Sequence, residues 1–235
     1  MGIGIEDRVD EALAALRSAA TAHDVANLDR FGIDAPSALG VSMANLQKIA
    51  KRLGRDHDLA AGLWATGVYE ARMLASLVDD PALVTPKQME AWRADFDNWG
   101  IVDTVCFKLF DQSPHAYAKI EAWAGLNDEF GRRAAFALLA CLALHDKTTG
   151  DQPFLDSLVL IERAASDDRN FVKKAVNWAL RAIGLRSSPV LKTAALETAR
   201  RLAASPDAAP RWVGKDALRA LTKAAAKTKT GTPTG

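Results

Sequence analysis

Signals that start and stop helices recur along the whole chain, and no stretch sustains the apolar–polar alternation of a strand. A core can therefore be built in one way only, by packing helix on helix. Thr85-Pro86 followed by Gln88, Ser113-Pro114 and Ser188-Pro189 each join a capping hydroxyl to a first-turn proline, and Asn127 precedes the acids Asp128 and Glu129. Gly54, Gly125, Gly150 and Gly184 close apolar periodic stretches, while Pro81, Pro206 and Pro210 are barred from helix interiors. Alanine, at 45 of 235 positions, favours helix wherever packing does not decide. These marks predict twelve helices near residues 5–21, 42–53, 57–65, 67–79, 86–97, 99–111, 114–124, 128–145, 152–166, 169–183, 189–204 and 211–226.

A dozen short helices in series form either a globular bundle or a solenoid of stacked pairs, in which a pair of the HEAT or armadillo kind takes about 40 residues. One domain over residues 1–226 is expected, followed by a flexible basic tail, 227–235, rich in Thr and Gly. Hydrophobic residues make up 49% of the chain, enough for a core without disulfide staples. Cys106 and Cys141 lie in apolar stretches, as buried thiols of a reducing compartment do. The longest apolar run, Ala134 to Leu144, is far short of the roughly 20 residues that span a bilayer. The segment MGIGIEDRVD lacks a basic stretch leading into an apolar one, so a cytoplasmic protein with no membrane partner is expected.

The net charge of +1 conceals an asymmetry. Residues 1–127 hold 12 Lys and Arg against 18 Asp and Glu, a balance of −6, and residues 128–235 hold 18 against 11, a balance of +7. A basic half is either a solvated surface or a face that meets a polyanion. The chain has no HExxH, CxxC, phosphate-binding glycine loop or GxSxG elbow, and its four histidines have no metal-ligand spacing. Any catalysis would rest on carboxylates, tryptophans and cations, with neither metal nor organic cofactor.

Two segments have that chemistry. In RNFVKKAVNWALRAIG, helical spacing places Val172, Val176, Ala179, Leu180 and Ile183 in one apolar stripe and Trp178 about 140° away, with Lys174 four residues before it and Arg181 three after. Lys173 adds a neighbouring cation. Such a face suits nucleic acid, with cations on phosphates and the ring on sugar or base; a Trp covered by a neighbouring helix or by the stems of Lys174 and Arg181 is the other reading. In FDNWGIVDTVCFKLF, Asn98 is a helix cap, and Trp99 and Asp103 share one flank beside the stripe Val102, Val105, Cys106 and Leu109. Trp99 suits a core boundary as well as a site, and Asp103, read as a first-turn acid, suits a charge–dipole role as well as a chemical one. A carboxylate beside an indole can stabilise a cation such as the oxocarbenium-like sugar of a breaking N-glycosidic bond, and a leaving base already cationic by alkylation needs no general acid.

The spaced blocks FGI…VSMANLQKIAKRLGRDHDLA, LWATGVYEARMLASLVDDP, MEAWRADFDNWGIVDTVC, EFGRRAAFALLACLALHDK, DRNFVKKAVNWALRAIG and RWVGKDALRAL resemble, in order, those of the HEAT-like-repeat DNA alkylation repair proteins, the AlkD-type DNA glycosylases. The resemblance implies an all-α fold: a right-handed superhelical solenoid of about six HEAT-like antiparallel helix pairs. It implies that Trp99 and Asp103, in W-x-x-x-D, and Trp178 line a DNA-facing concave surface as catalytic residues. Arg133, or the adjacent Arg132, would contact phosphates near the lesion; Lys173, Lys174 and Arg181 join them from helix geometry alone. The implied activity is excision of cationic alkylpurines, 3-methyladenine and 7-methylguanine, from duplex DNA, by a monomer that associates with the nucleoid when bound. A non-catalytic DNA-structure binder on the same scaffold and a protein-binding α-solenoid are the rival functions.

Overall fold

The structure, a computed structural model, describes residues 4–230. Among them the backbone forms thirteen α-helices and one 3-10 turn, with no strand, so the fold is all-α. The chain divides into two compact units, Met1–Ala116 and Tyr117–Gly235, where one continuous domain is expected. In a repeat chain each helix contacts mainly its near neighbours, so contacts gather locally.

The first unit contains α1 (Ile5–Ser18), α2 (Ala22–Arg30), α3 (Met43–Leu53), α4 (His57–Ala65), α5 (Tyr69–Val78), α6 (Pro86–Ala94) and α7 (Trp99–Lys108), then the turn Phe110–Gln112. Helices α3, α5 and α7 pack in one row. Behind them α1 packs on α4, and Trp64 of α4 stacks on Trp92 of α6 with ring centroids 4.0 Å apart. A buried staple fixes the approach to α3: the carboxylate of Glu70 accepts the N–H groups of Leu39 and Gly40, each at 2.7 Å, and of Val41 at 3.2 Å. Helix α2 is absent from the sequence-based reading. It has a proper cap, with Thr21 accepting from Asp24 N, but it buries no residue and its only apolar side chains larger than alanine are Val25 and Leu28, a face too short to announce a helix.

The second unit contains α8 (Ala116–Ala124, entered from the first), α9 (Glu129–His145), α10 (Gln152–Ala164), α11 (Asn170–Gly184), α12 (Pro189–Ala203) and α13 (Ala208–Thr230). Helices α9, α11 and α13 form a row, with α10 and α12 packed behind it. The row runs in one direction. Arg133 donates to the Phe171 carbonyl (2.7 Å) and Arg186 to that of Ala143 (3.0 Å), while Asn177 donates to Val213 O (3.1 Å) and Gly184 lies against Leu221. Partner numbers rise together along each pair, as only parallel helices allow.

Local signals fare unevenly. Thr85, Asn98 and Ser188 cap α6, α7 and α12 as expected. The cap of α9 is Asp128, accepting from Gly131 N at 2.6 Å, and not Asn127. Pro210 lies inside α13, but in its first turn, where an N–H has no helical acceptor to lose. Helix α13 continues to Thr230, so the expected start of the tail at residue 227 falls in its last turn, and residues 231–235 lie outside the described ones. Among the described residues no helix is long and apolar enough to cross a membrane.

Candidate functional site

The W-x-x-x-D pair belongs to the first unit. Asn98 is buried and accepts from Ile101 N at 3.0 Å, so α7 begins at Trp99, and its indole Nε1 donates to the carbonyl of Phe31 at the end of α2 (3.1 Å). That bond locks the ring edge while Trp99 remains half-buried. Gly100 lets α7 close on α5: a Cβ there would stand 2.7 Å from the Tyr69 hydroxyl. Burial, reinforced by the charges of Glu70 and Asp97, holds the Tyr69 phenol protonated well above its usual range.

Asp103 follows one turn later on α7, half-buried. The first turn of α7 contains no acid, so Asp103 is a second-turn residue and not the first-turn acid expected. The helix N-terminal field fades within the first turn, which removes the charge–dipole reading. Trp99 and Asp103 therefore lie on one flank, next to a buried stripe of Val102, Val105, Cys106 and Leu109.

The second tryptophan belongs to the second unit. The predicted stripe of α11 is wholly buried, with Val172, Val176, Ala179, Leu180 and Ile183 all at 0% exposure. Trp178 is half-buried on the flank, Lys174 is exposed and Arg181 half-buried. Neither cation forms an ion pair among the described residues, and Arg181 Nε is buried without a hydrogen-bond partner. Lys173 borders α13, with Nζ 5.2 Å from the ring centre of Trp212.

The two arginines of α9 separate in role. Arg133 is 5% exposed and turned into the α9–α11 seam, where it donates to Phe171 O. Arg133, expected at a phosphate, is a buried strap between two helices of the same row. Arg132, half-buried, lies 3.1 Å from the carboxylate of Asp167. The same carboxylate takes two side-chain bonds from Arg169, at 2.9 and 2.6 Å, and one from its backbone N–H at 3.2 Å, and Arg169 also donates to Asn127 O at 2.6 Å. Arg169 hydrogen bonding, with Arg132 nearby, holds Asp167 below the usual carboxylate range against the opposing effect of burial. Arg169 thus ties the loop before α9 to the loop before α11, a role no local sequence pattern announces.

Among the described residues no cluster of three or more His, Cys, Asp or Glu could hold a metal ion. The chemistry at hand is that of a fixed indole and a carboxylate in one unit, and of an indole among unpaired cations in the other. A family model for DNA alkylation repair enzymes matches residues 12–221. A solved structure described as "a new family of proteins related to the HEAT-like repeat DNA glycosylases with affinity for branched DNA structures" is similar in fold, at 18% identity over 94% of each chain, with a TM-score of 0.79. No curated protein matches the chain.

Proposed function

The chain belongs to the DNA alkylation repair enzyme family, and from that premise we propose that it is a DNA glycosylase that releases cationic alkylpurines, such as 3-methyladenine and 7-methylguanine, from duplex DNA. The observation that carries this reading is the pair on α7: Trp99 fixed by its bond to Phe31 O, and Asp103 one turn on, outside the reach of the helix dipole. In the proposed step the C1′–N9 bond breaks and its electron pair neutralises the positive charge of the base. Water bonds to C1′, and its proton passes to Asp103 or to solvent. Asp103 stabilises the cationic sugar with the ring face of Trp99 beside it, and Trp178 offers its own ring face to a deoxyribose of the bound DNA. Lys173, Lys174 and Arg181 hold phosphates, with Arg132 contributing when the Asp167 pair opens.

The experiment is chromatography of bases freed from methylated DNA. The native protein releases 7-methylguanine, and Asp103→Asn lowers the rate by about 10² to 10³-fold, as loss of one electrostatic stabiliser does elsewhere, with unchanged circular dichroism and DNA affinity. Undiminished release by Asp103→Asn removes the residue from the mechanism. A second reading, a non-catalytic binder of DNA structure, draws on the branched-DNA affinity described for the similar fold. DNA binding with no base released by the native protein would favour it.

A further inference from the structure

The most exposed indole among the described residues has no part in that chemistry. Trp212, 41% exposed, stands in the first turns of α13. The helix comes close to α12 at Gly214, where a Cβ would lie 2.2 Å from Ala203 N, so this end of α13 is pinned to the unit. Val213, Ala217 and Leu221, four residues apart, form its buried stripe. Trp212, Lys215 and Arg219 lie on the opposite face, all exposed. Core packing therefore gives no account of Trp212. Lys173 of α11 sets its ammonium 5.2 Å from the ring centre, and Lys215 has no ion pair among the described residues; Arg219 is paired with Asp216, the acid of this face.

An open indole face bounded by two cations is a stacking platform with phosphate contacts, and helical rise puts Lys215 about 4.5 Å and Arg219 about 10.5 Å along the axis from Trp212. A paired base presents its edges in a groove and keeps its faces in the stack, so an aromatic face of this kind takes an unpaired base. We propose that Trp212, with Lys173 and Lys215, is a binding site for an unpaired nucleotide of a single-stranded DNA segment next to the bound duplex. The site rests on the DNA-binding reading above, adds a strand-end or junction preference to it, and leaves base release to α7 and α11.

Fluorescence anisotropy of the full chain with two labelled DNAs tests it: a blunt duplex and the same duplex with a short single-stranded overhang. The native protein binds the overhang DNA at least about fivefold more tightly, the low end of what one stacked base contributes. Trp212→Ala abolishes that preference and leaves blunt-duplex affinity unchanged, whereas Trp212→Phe, which keeps a ring face, retains most of it. Equal affinity of the native protein for both DNAs, a preference that survives Trp212→Ala, or an equal loss on both DNAs overturns the proposal while the duplex-binding reading stands. Failure to bind either DNA overturns both.

Discussion

Both halves of the molecule set a cation over an indole, and the two pairs differ in everything except distance. In the first unit the Arg72 guanidinium is 5.1 Å from the ring centre of Trp64; in the second the Lys173 ammonium is 5.2 Å from that of Trp212. Trp64 is 5% exposed, stacks on Trp92 within 4° of parallel, and donates its N–H to Asp95 at 2.8 Å. Arg72 reaches the same Asp95 carboxylate at 3.4 Å. Both the ring and the N–H of Trp64 are taken up inside the fold, and the NH groups of Arg72 point to Asp95 although its buried Nε has no hydrogen-bond partner among the described residues. Trp212 is exposed, and Lys173 has no carboxylate partner among the described residues. A cation–indole contact is thus a packing device where a carboxylate and a second ring close it, and a surface open to a ligand where they do not.

The sharpest way to break that contrast is truncation of each indole. Trp64→Ala removes a buried, stacked ring and leaves Asp95 and Arg72 without its N–H and face, so unfolding free energy falls by about 3–5 kcal/mol. Trp212→Ala falls within about 0.5 kcal/mol of the native protein, as surface changes do. Chemical denaturation of both variants is the measurement. Equal losses would make Trp212 a packing residue and end its separate role.

The cations sharpen the contrast at a smaller scale. Arg72→Ala removes the cation over Trp64 and one partner of Asp95, which keeps the Trp64 N–H and is 46% exposed, and lowers stability by about 1 kcal/mol. Lys174→Ala leaves the melting temperature in place. Instead it lowers the slope of log affinity against log salt by about 0.9, the signature of one lost phosphate contact. Salt-titrated duplex binding beside thermal melts separates the two. A Lys174→Ala protein with an unaltered slope would remove α11 from the phosphate footprint.

How legible each side of this contrast is in the sequence follows from where its determinants lie. The buried stripe of α11 and the flank position of Trp178 depend only on the 100° helical step, and both are readable from one segment. The register of Asp103 depends on where α7 starts, and the Asn98 cap puts it in the second turn, one turn beyond the first-turn place expected. Arg132 and Arg133 are adjacent in sequence and 100° apart on a helix. Only the packing of α11 on α9 decides that Arg133 turns inward to Phe171 O. Trp212 carries no local signal within RWVGKDALRAL, because its exposure is set by α12 at Gly214 and its cation by α11, both distant in sequence. Helix α2 is hard to read for the converse reason, having a cap but only Val25 and Leu28 as apolar side chains larger than alanine.

The two tyrosines of the chain carry the contrast between units into pH, with the smallest effect. Tyr69, 7% exposed in the first unit, is held protonated above its usual range first by burial and then by Glu70 and Asp97. Tyr117, in the second, donates to Asp146 at 2.8 Å, and burial pushes its phenol up to about 12, helped by Asp146 and opposed by a Thr149 hydrogen bond and the Arg186 charge. Asp146 is itself depressed below the carboxylate range: burial raises it, but bonds from Thr149, Tyr117 and Thr148 outweigh burial. A phenol raised in the folded state contributes stability that is fully present below its unfolded value of about 10 and is lost as pH climbs through about 12. The depressed carboxylate acts at the other end, its contribution present above about pH 4 and lost on further acidification. Phenolate absorbance on raising the pH should therefore stay flat through 10, with one tyrosine ionising near 12 and Tyr69 after it. In Tyr117→Phe the step near 12 vanishes, and the alkaline loss of stability above pH 10 shrinks to the part that Tyr69 carries. A first step near pH 10 in the native protein would show that the second unit opens its α8–loop contact to water as freely as it does the face of Trp212.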